Sequence, residues 1–199
     1  ARDARWAEMV ERVKSVPTQA FQIWLDDDMK ALGWREEPIN LSGFVEPFDT
    51  WADMTHLARR ERWPGRSPRA IAYFCSVLAD APEDAQRRPD YPAERSAEVR
   101  DAAVAFLDRD IVALWPRAVG ADGRFRWELL AAPDRDDPRA GAQRFETQYW
   151  TANVNPTARY TLSLPGTLRS RISPLDNTYD NLTIAGDWTD CGFNEGCVE

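Results

Sequence analysis

Gly186-Asp187-Trp188-Thr189 sets a carboxylate between a glycine and a large aromatic, close to the end of a 199-residue chain. A carboxylate accepts hydrogen bonds from sugar-like hydroxyls. Glycine lets backbone approach a ligand where a Cβ would obstruct it, and an indole covers apolar ring surface. Upstream, Leu182-Thr183-Ile184-Ala185 reads as a short buried strand. Downstream, after a turn at Cys191-Gly192, Asn194 stands at a helix N-cap position with Glu195 in the first turn. A strand, a carboxylate at its end and a helix N-terminus with unpaired N–H donors suit a phosphorylated or hydroxyl-rich cofactor. Taken alone, Gly-Asp-Trp-Thr is equally an ordinary strand-end turn. The few residues after Asn194 cannot nucleate a helix, because the first turn fixes several dihedrals for one hydrogen bond. The expectation is therefore that more chain follows Glu199.

Other reactive residues are weaker candidates. Asp26-Asp27-Asp28 resembles a Mg²⁺-binding cluster, but an Asp-Asp-x-x-Asp pattern needs a carboxylate where Lys30 stands, and a solvated helix start explains the triplet better. His56 is the only histidine, no Gly-x-Ser-x-Gly elbow accompanies it, and a structural or exposed role is expected. Cys75, Cys191 and Cys197 are odd in number and lack Cys-x-x-Cys spacing or a neighbouring histidine, so no metal site is expected. Reduced thiols and a cytoplasmic setting are. Trp51, Tyr149 and Trp150 can line a pocket or simply fill a core, and Arg159 with Tyr160 is a candidate for gripping a substrate.

The elements that must position these residues follow from periodicity. Residues 4–16 place Trp6, Met9, Val10 and Val13 on one helical face, stopped by Pro17. Residues 19–25 alternate as a strand with Phe21, Ile23 and Leu25 on one side. A short helix closes at Gly33, and 38–44 can form a second short strand. Residues 49–60 are ambiguous, a loop with a short helix. Residues 70–78 make the clearest strand of this half, and 82–92 read as an exposed Pro-rich loop. Residues 93–114 form the best helix, with acidic residues at its start. Then follow a strand or short helix at 125–130, a loop at 134–141, and extended segments at 145–152 and 158–164. Strands and separate helices together indicate an α+β fold with a mixed or antiparallel sheet.

Composition sets outer bounds. The chain is long enough for one good core, or one domain plus part of another. Its net charge of −8 and pI near 4.8 do not provide the basic footprint of a nucleic-acid binder. No apolar run approaches the length of a membrane-spanning helix. Nine tryptophans favour an aromatic-rich core over a lined apolar cavity.

Asn181, Leu182, Ala185, Gly186, Asp187, Trp188 and Thr189, followed by Gly192, Asn194, Gly196, Cys197, Val198 and Glu199, resemble the C-terminal cofactor motif of the FAD-dependent amine oxidase and phytoene desaturase superfamily. A weaker likeness extends to Tyr149-Trp150, Asn155-Pro156, Arg159-Tyr160 and Leu164-Pro165-Gly166, and more faintly to residues 18–25 and 49–54. The resemblance implies that Asp187 binds the ribityl or pyrophosphate part of FAD, with Gly186 and Trp188 beside it. It also implies that backbone N–H groups around Asn194, Glu195 and Gly196 lie near the isoalloxazine ring or the phosphates. Tyr149 and Trp150, shortly before the motif, become the substrate-pocket candidates. The residues themselves name no catalytic base.

Such a flavoprotein also needs a strand followed by Gly-x-Gly-x-x-Gly on a helix, and this chain has no such segment. Its opening residues read instead as the solvated start of a helix inside a larger protein. The implied organisation is a substrate-side domain over 1–180 and the C-terminal edge of an FAD-binding domain over 181–199. The dinucleotide-binding portion would lie elsewhere in the same protein. The implied activity is oxidation of a C–N or C–C bond in a small amine, isoprenoid or other apolar substrate, by hydride transfer to flavin. This chain alone is expected to bind FAD weakly or not at all. The competing reading is a non-catalytic α+β binding or interaction module.

Overall fold

A computed structural model describes residues 3–134 and 136–192. In chain order its elements are α1 (Ala4–Arg12), β1 (Ser15–Val16), β2 (Thr18–Leu25), α2 (Met29–Leu32), β3 (Asn40–Leu41), β4 (Thr50–Asp53), β5 (Ala70–Val77), α3 (Glu83–Gln86), α4 (Tyr91–Arg109), β6 (Tyr149–Asn153) and β7 (Tyr160–Thr161). Short 3-10 turns connect several of them. The fold class is α+β, as the sequence predicts. The chain divides into two compact units, one formed by Ala1–Thr18 with Asn153–Glu199 and the other by Gln19–Ala152. Residues 153–180 thus group with the cofactor-like motif and with α1, whereas the sequence reading sets its boundary at 180.

The unit over 19–152 is organised by a five-stranded sheet in the order β3-β4-β5-β2-β6. β4 pairs antiparallel with β5, Trp51 opposite Phe74, and β3 pairs antiparallel with β4. Alternation along β2 sends Phe21, Ile23 and Leu25 into the core while Gln22 and Trp24 are half-buried. Phe21 stacks on Phe74 with centroids 4.7 Å apart and meets Phe48 edge-on at 4.7 Å. Phe106 of α4 closes against Phe21, Phe48 and Phe74. Trp51 and Trp115 extend the cluster, both fully buried. Aromatic pairs of this kind add roughly 0.5–1.5 kcal/mol each beyond their buried area. Trp51, Trp115 and Trp127 serve the core reading, whereas Trp188 is exposed and the other five tryptophans are half-buried.

Several elements differ from the sequence expectation for reasons of pairing. Residues 49–60, left ambiguous by their pattern, contain β4, which exists because β5 offers it a ladder. The helix expected over 93–114 begins two residues earlier, since Pro92 is tolerated in a first turn. It ends at Arg109, and a 3-10 turn at Ile111–Ala113 follows. The loop expected over 82–92 contains the single turn of α3. The strand expected from Phe145 starts only at Tyr149, because Gly141–Thr147 winds as a 3-10 turn that buries Phe145. Residues 125–130 hold a 3-10 turn at Trp127–Leu129. The short helix closing at Gly33 is present, with Gly33 in the left-handed region at φ 106° as a C-cap requires.

The other unit is thinner. α1 stops at Arg12, short of Pro17, because Ser15–Val16 turns extended and pairs antiparallel with Tyr160–Thr161. Asp3 caps α1, accepting hydrogen bonds from the Arg5 and Trp6 N–H groups at 2.9 and 3.3 Å. Asp176 gathers the Thr178 N–H, the Trp6 indole N–H and the Arg5 guanidinium. The segment Leu182–Ala185 is not the buried strand expected: Leu182, Thr183 and Ala185 are exposed and Ile184 is half-buried. A buried strand of this kind needs ladder partners for its backbone groups. Among the described residues of this unit, the pairing falls later instead, at a parallel bridge between Ile172 and Thr189. Among the described residues no helix is long and apolar enough to cross a membrane.

Candidate functional site

Gly186 opens a tight turn with φ 125°, a conformation that L side chains rarely adopt. The turn is closed by Thr189, whose N–H and hydroxyl both donate to the Gly186 carbonyl, at 3.0 and 2.8 Å. The Trp188 indole folds back and donates to the Ala185 carbonyl at 3.1 Å. A Cβ on Gly186 would stand 2.7 Å from the indole nitrogen. The glycine is therefore demanded by its own φ and by the neighbouring indole, which fills the space that the sequence reading leaves for a ligand.

Asp187 is half-buried and held from β7. Its Oδ1 accepts from the Thr161 hydroxyl at 3.1 Å and its Oδ2 from the Thr161 N–H at 3.3 Å. A carboxylate offers about four acceptor sites, so two contacts from Thr161 fix its orientation and leave capacity for a ligand's hydroxyls. Thr161 is itself buried, opposite Ser15 in the β1-β7 ladder. The same ladder orients Arg159, whose Nε donates to the Ser15 hydroxyl at 3.2 Å and whose Nη2 donates to the Ser15 carbonyl at 3.1 Å.

These side chains border a cavity of about 650 Å³. Met9 and Val10 of α1, with Val13 just beyond it, supply an apolar wall, Lys14 and Arg159 supply positive charge, and Asp187 with Trp188 closes the margin. The volume lies within the range of about 300–1,000 Å³ common for small-molecule sites. A carboxylate, two cations and an apolar wall thus border one cavity.

The remaining candidates separate. Asn194, Glu195 and Gly196, and with them Cys197, lie outside the described residues. Tyr149 and Trp150 belong to the 19–152 unit and split between the two faces of β6. Trp150 stacks on the core residue Phe145, centroids 5.5 Å apart, whereas Tyr149 is 52% exposed. Trp51 is core. Tyr160 is exposed, while Arg159 reaches the cavity.

Asp28 is the N-cap of α2, accepting from the Ala31 N–H at 2.9 Å, and it pairs with Arg69, so the acidic triplet is a helix start. His56 is exposed on a 3-10 turn beside a second cavity of about 520 Å³. Burial pushes the Cys75 thiol up from its ordinary value, with a smaller opposing contribution from Tyr73. Among the described residues no group of three or more His, Cys, Asp or Glu side chains is placed to hold a metal ion. Sequence reasoning missed Thr161 and Lys14. Twenty-six positions separate Thr161 from Asp187, and only the chain's return to β1 brings them together.

No protein-family model, curated protein or solved structure matches this chain.

Proposed function

We propose that this chain is part of an FAD-dependent oxidoreductase of the amine oxidase or phytoene desaturase type, oxidising a C–N or C–C bond. The observation that carries the reading is the carboxylate of Asp187, oriented by both hydrogen-bond donors of Thr161 at the edge of a cavity that also presents Arg159 and Lys14. Asp187 takes the ribityl hydroxyls, Arg159 and Lys14 face the pyrophosphate, and the apolar wall of α1 receives uncharged surface. FAD, when bound, supplies the acceptor for the hydride that leaves the substrate carbon. The residues of this chain bind and orient. The dinucleotide-binding fingerprint belongs to a further portion of the same protein.

The test uses the protein with its upstream sequence, which should contain Gly-x-Gly-x-x-Gly and be yellow, absorbing near ~450 nm as flavins do. Asp187→Asn, which keeps the shape but removes the charge, should retain less FAD than wild type through gel filtration. Asp187→Ala should retain less again, because it also strands the Thr161 donors, at about 1–3 kcal/mol. A colourless protein without the glycine fingerprint overturns the proposal in favour of a non-catalytic module. Equal retention by wild type and both variants overturns the role of Asp187.

A further inference from the structure

Residues 59–66 hold four arginines, Arg59, Arg60, Arg62 and Arg66, against one glutamate, in a chain whose net charge is −8. All four arginines are exposed. Several arginines elsewhere are paired, such as Arg69 with Asp28, Arg100 with Glu146 and Arg139 with Asp137. Among the described residues the four at 59–66 have no ion-pair partner.

The one carboxylate in the stretch is committed elsewhere. Glu61 Oε2 accepts the indole N–H of Trp24 at 2.7 Å and that of Trp63 at 2.8 Å. Two indoles on one oxygen pin the loop to β2, with the rings 6.0 Å apart. Beyond Trp63 the chain reverses at once: the Gly65 N–H donates to the Trp63 carbonyl at 3.0 Å, with Gly65 at φ 120°. Pro64 stiffens the centre of this reversal and Pro68 the chain after it. The result is an ordered basic tip with a half-buried tryptophan within it, which loses little conformational freedom on meeting a partner.

We propose that residues 59–66 form an electrostatic contact with an anionic lipid surface. At physiological ionic strength charges more than about 8 Å away are largely screened, so the local arginines outweigh the acidic remainder of the chain. A tip of eight residues carrying an indole and a proline suits a flat headgroup layer, where tryptophan partitions and basic residues find phosphates. A nucleic acid asks for a longer basic face that tracks successive phosphates.

The experiment is co-sedimentation of the intact protein with phosphatidylserine-containing vesicles and with pure phosphatidylcholine vesicles, at low and high salt. Binding is expected only to the anionic vesicles, and to fall with salt. Each arginine near an anionic leaflet contributes roughly fivefold, so Arg62→Gln with Arg66→Gln should weaken binding about thirtyfold, and Arg62→Glu with Arg66→Glu more. Arg87→Glu with Arg139→Glu changes net charge as much as that reversal, at arginines already paired, and should change binding little. Equal loss in this control overturns the patch, as does wild-type binding indifferent to lipid charge. Retention of single- or double-stranded nucleic acid without vesicle binding overturns the lipid assignment.

Discussion

The two units reach order by opposite means. In the 19–152 unit the interior is aromatic and apolar: Phe21, Phe48, Trp51, Phe74, Phe106, Trp115 and Phe145 are all fully buried. In the unit of 1–18 with 153–199, Met9, Pro17, Val154 and Ile172 are the buried apolar residues among those described, joined by buried Thr161, Ser170, Arg171 and Thr189. Leu175 is 89% exposed and Val10 72%. Hydrophobic burial is non-directional and tolerates small displacements, whereas hydrogen bonds to a carboxylate demand particular geometry and stabilise less per contact. The second unit is accordingly assembled around Asp3, Asp176 and Asp187, each receiving backbone N–H donors. The candidate cofactor carboxylate belongs to this second kind of structure. A site that must present unsatisfied acceptor capacity to a ligand cannot also be sealed in an apolar core.

The contrast can be broken experimentally, and the largest effect should come from the aromatic core. Phe74→Ala removes a ring that packs against Phe21, Trp51, Phe106 and Trp115, at an expected cost of about 3–5 kcal/mol. Urea unfolding followed by far-UV dichroism measures it, and a loss below about 1 kcal/mol would show that this core is not what holds the unit.

Gly186→Ala comes next. It forces an L residue to φ 125° and drives a methyl into the Trp188 indole, costing on the order of 1–3 kcal/mol. Peptide-resolved hydrogen exchange should accelerate around residues 186–189 while β2 and β5 keep their protection. Uniform acceleration through both units would contradict their separate construction.

The smallest effect concerns acid. Hydrogen bonds from the Thr178 hydroxyl and N–H, then from Arg5 and Trp6, hold the Asp176 carboxyl down from its usual 3.8 to about 2. A depressed folded-state value means that the contribution is complete above pH 3.8 and is lost as the pH falls towards 2. The indole N–H resonance of Trp6, which donates to Asp176, should shift across that window, and Asp176→Asn should abolish the shift. An unchanged resonance down to the lower limit would remove Asp176 from the account of this unit.

Local patterns were legible wherever one residue's periodicity or conformation suffices. Alternation located β2, an apolar run located β5, the helical spacing of Val99, Ala103, Phe106 and Leu107 located α4, and Gly33 announced the end of α2. The pairings were not legible. Thr50–Asp53 gives no clear period and becomes a strand only opposite β5. Leu182–Ala185 has the composition of a buried strand and is left without a ladder. Tyr149 and Trp150 look alike as neighbours in sequence, yet strand alternation opens one to solvent and stacks the other on Phe145.

From sequence alone came the α+β class and the principal helix and strands. These rest on side-chain chemistry and on repeats of two or 3.6 residues, which are properties of a short segment. Tertiary structure decided which carboxylate oxygen meets which donor, that Thr161 orients Asp187, and that the indole of Trp188 occupies the space over Gly186. The contacts to Asp187 depend on the approach of Thr161, 26 positions away on a strand that pairs with β1. No local repeat in either segment encodes it.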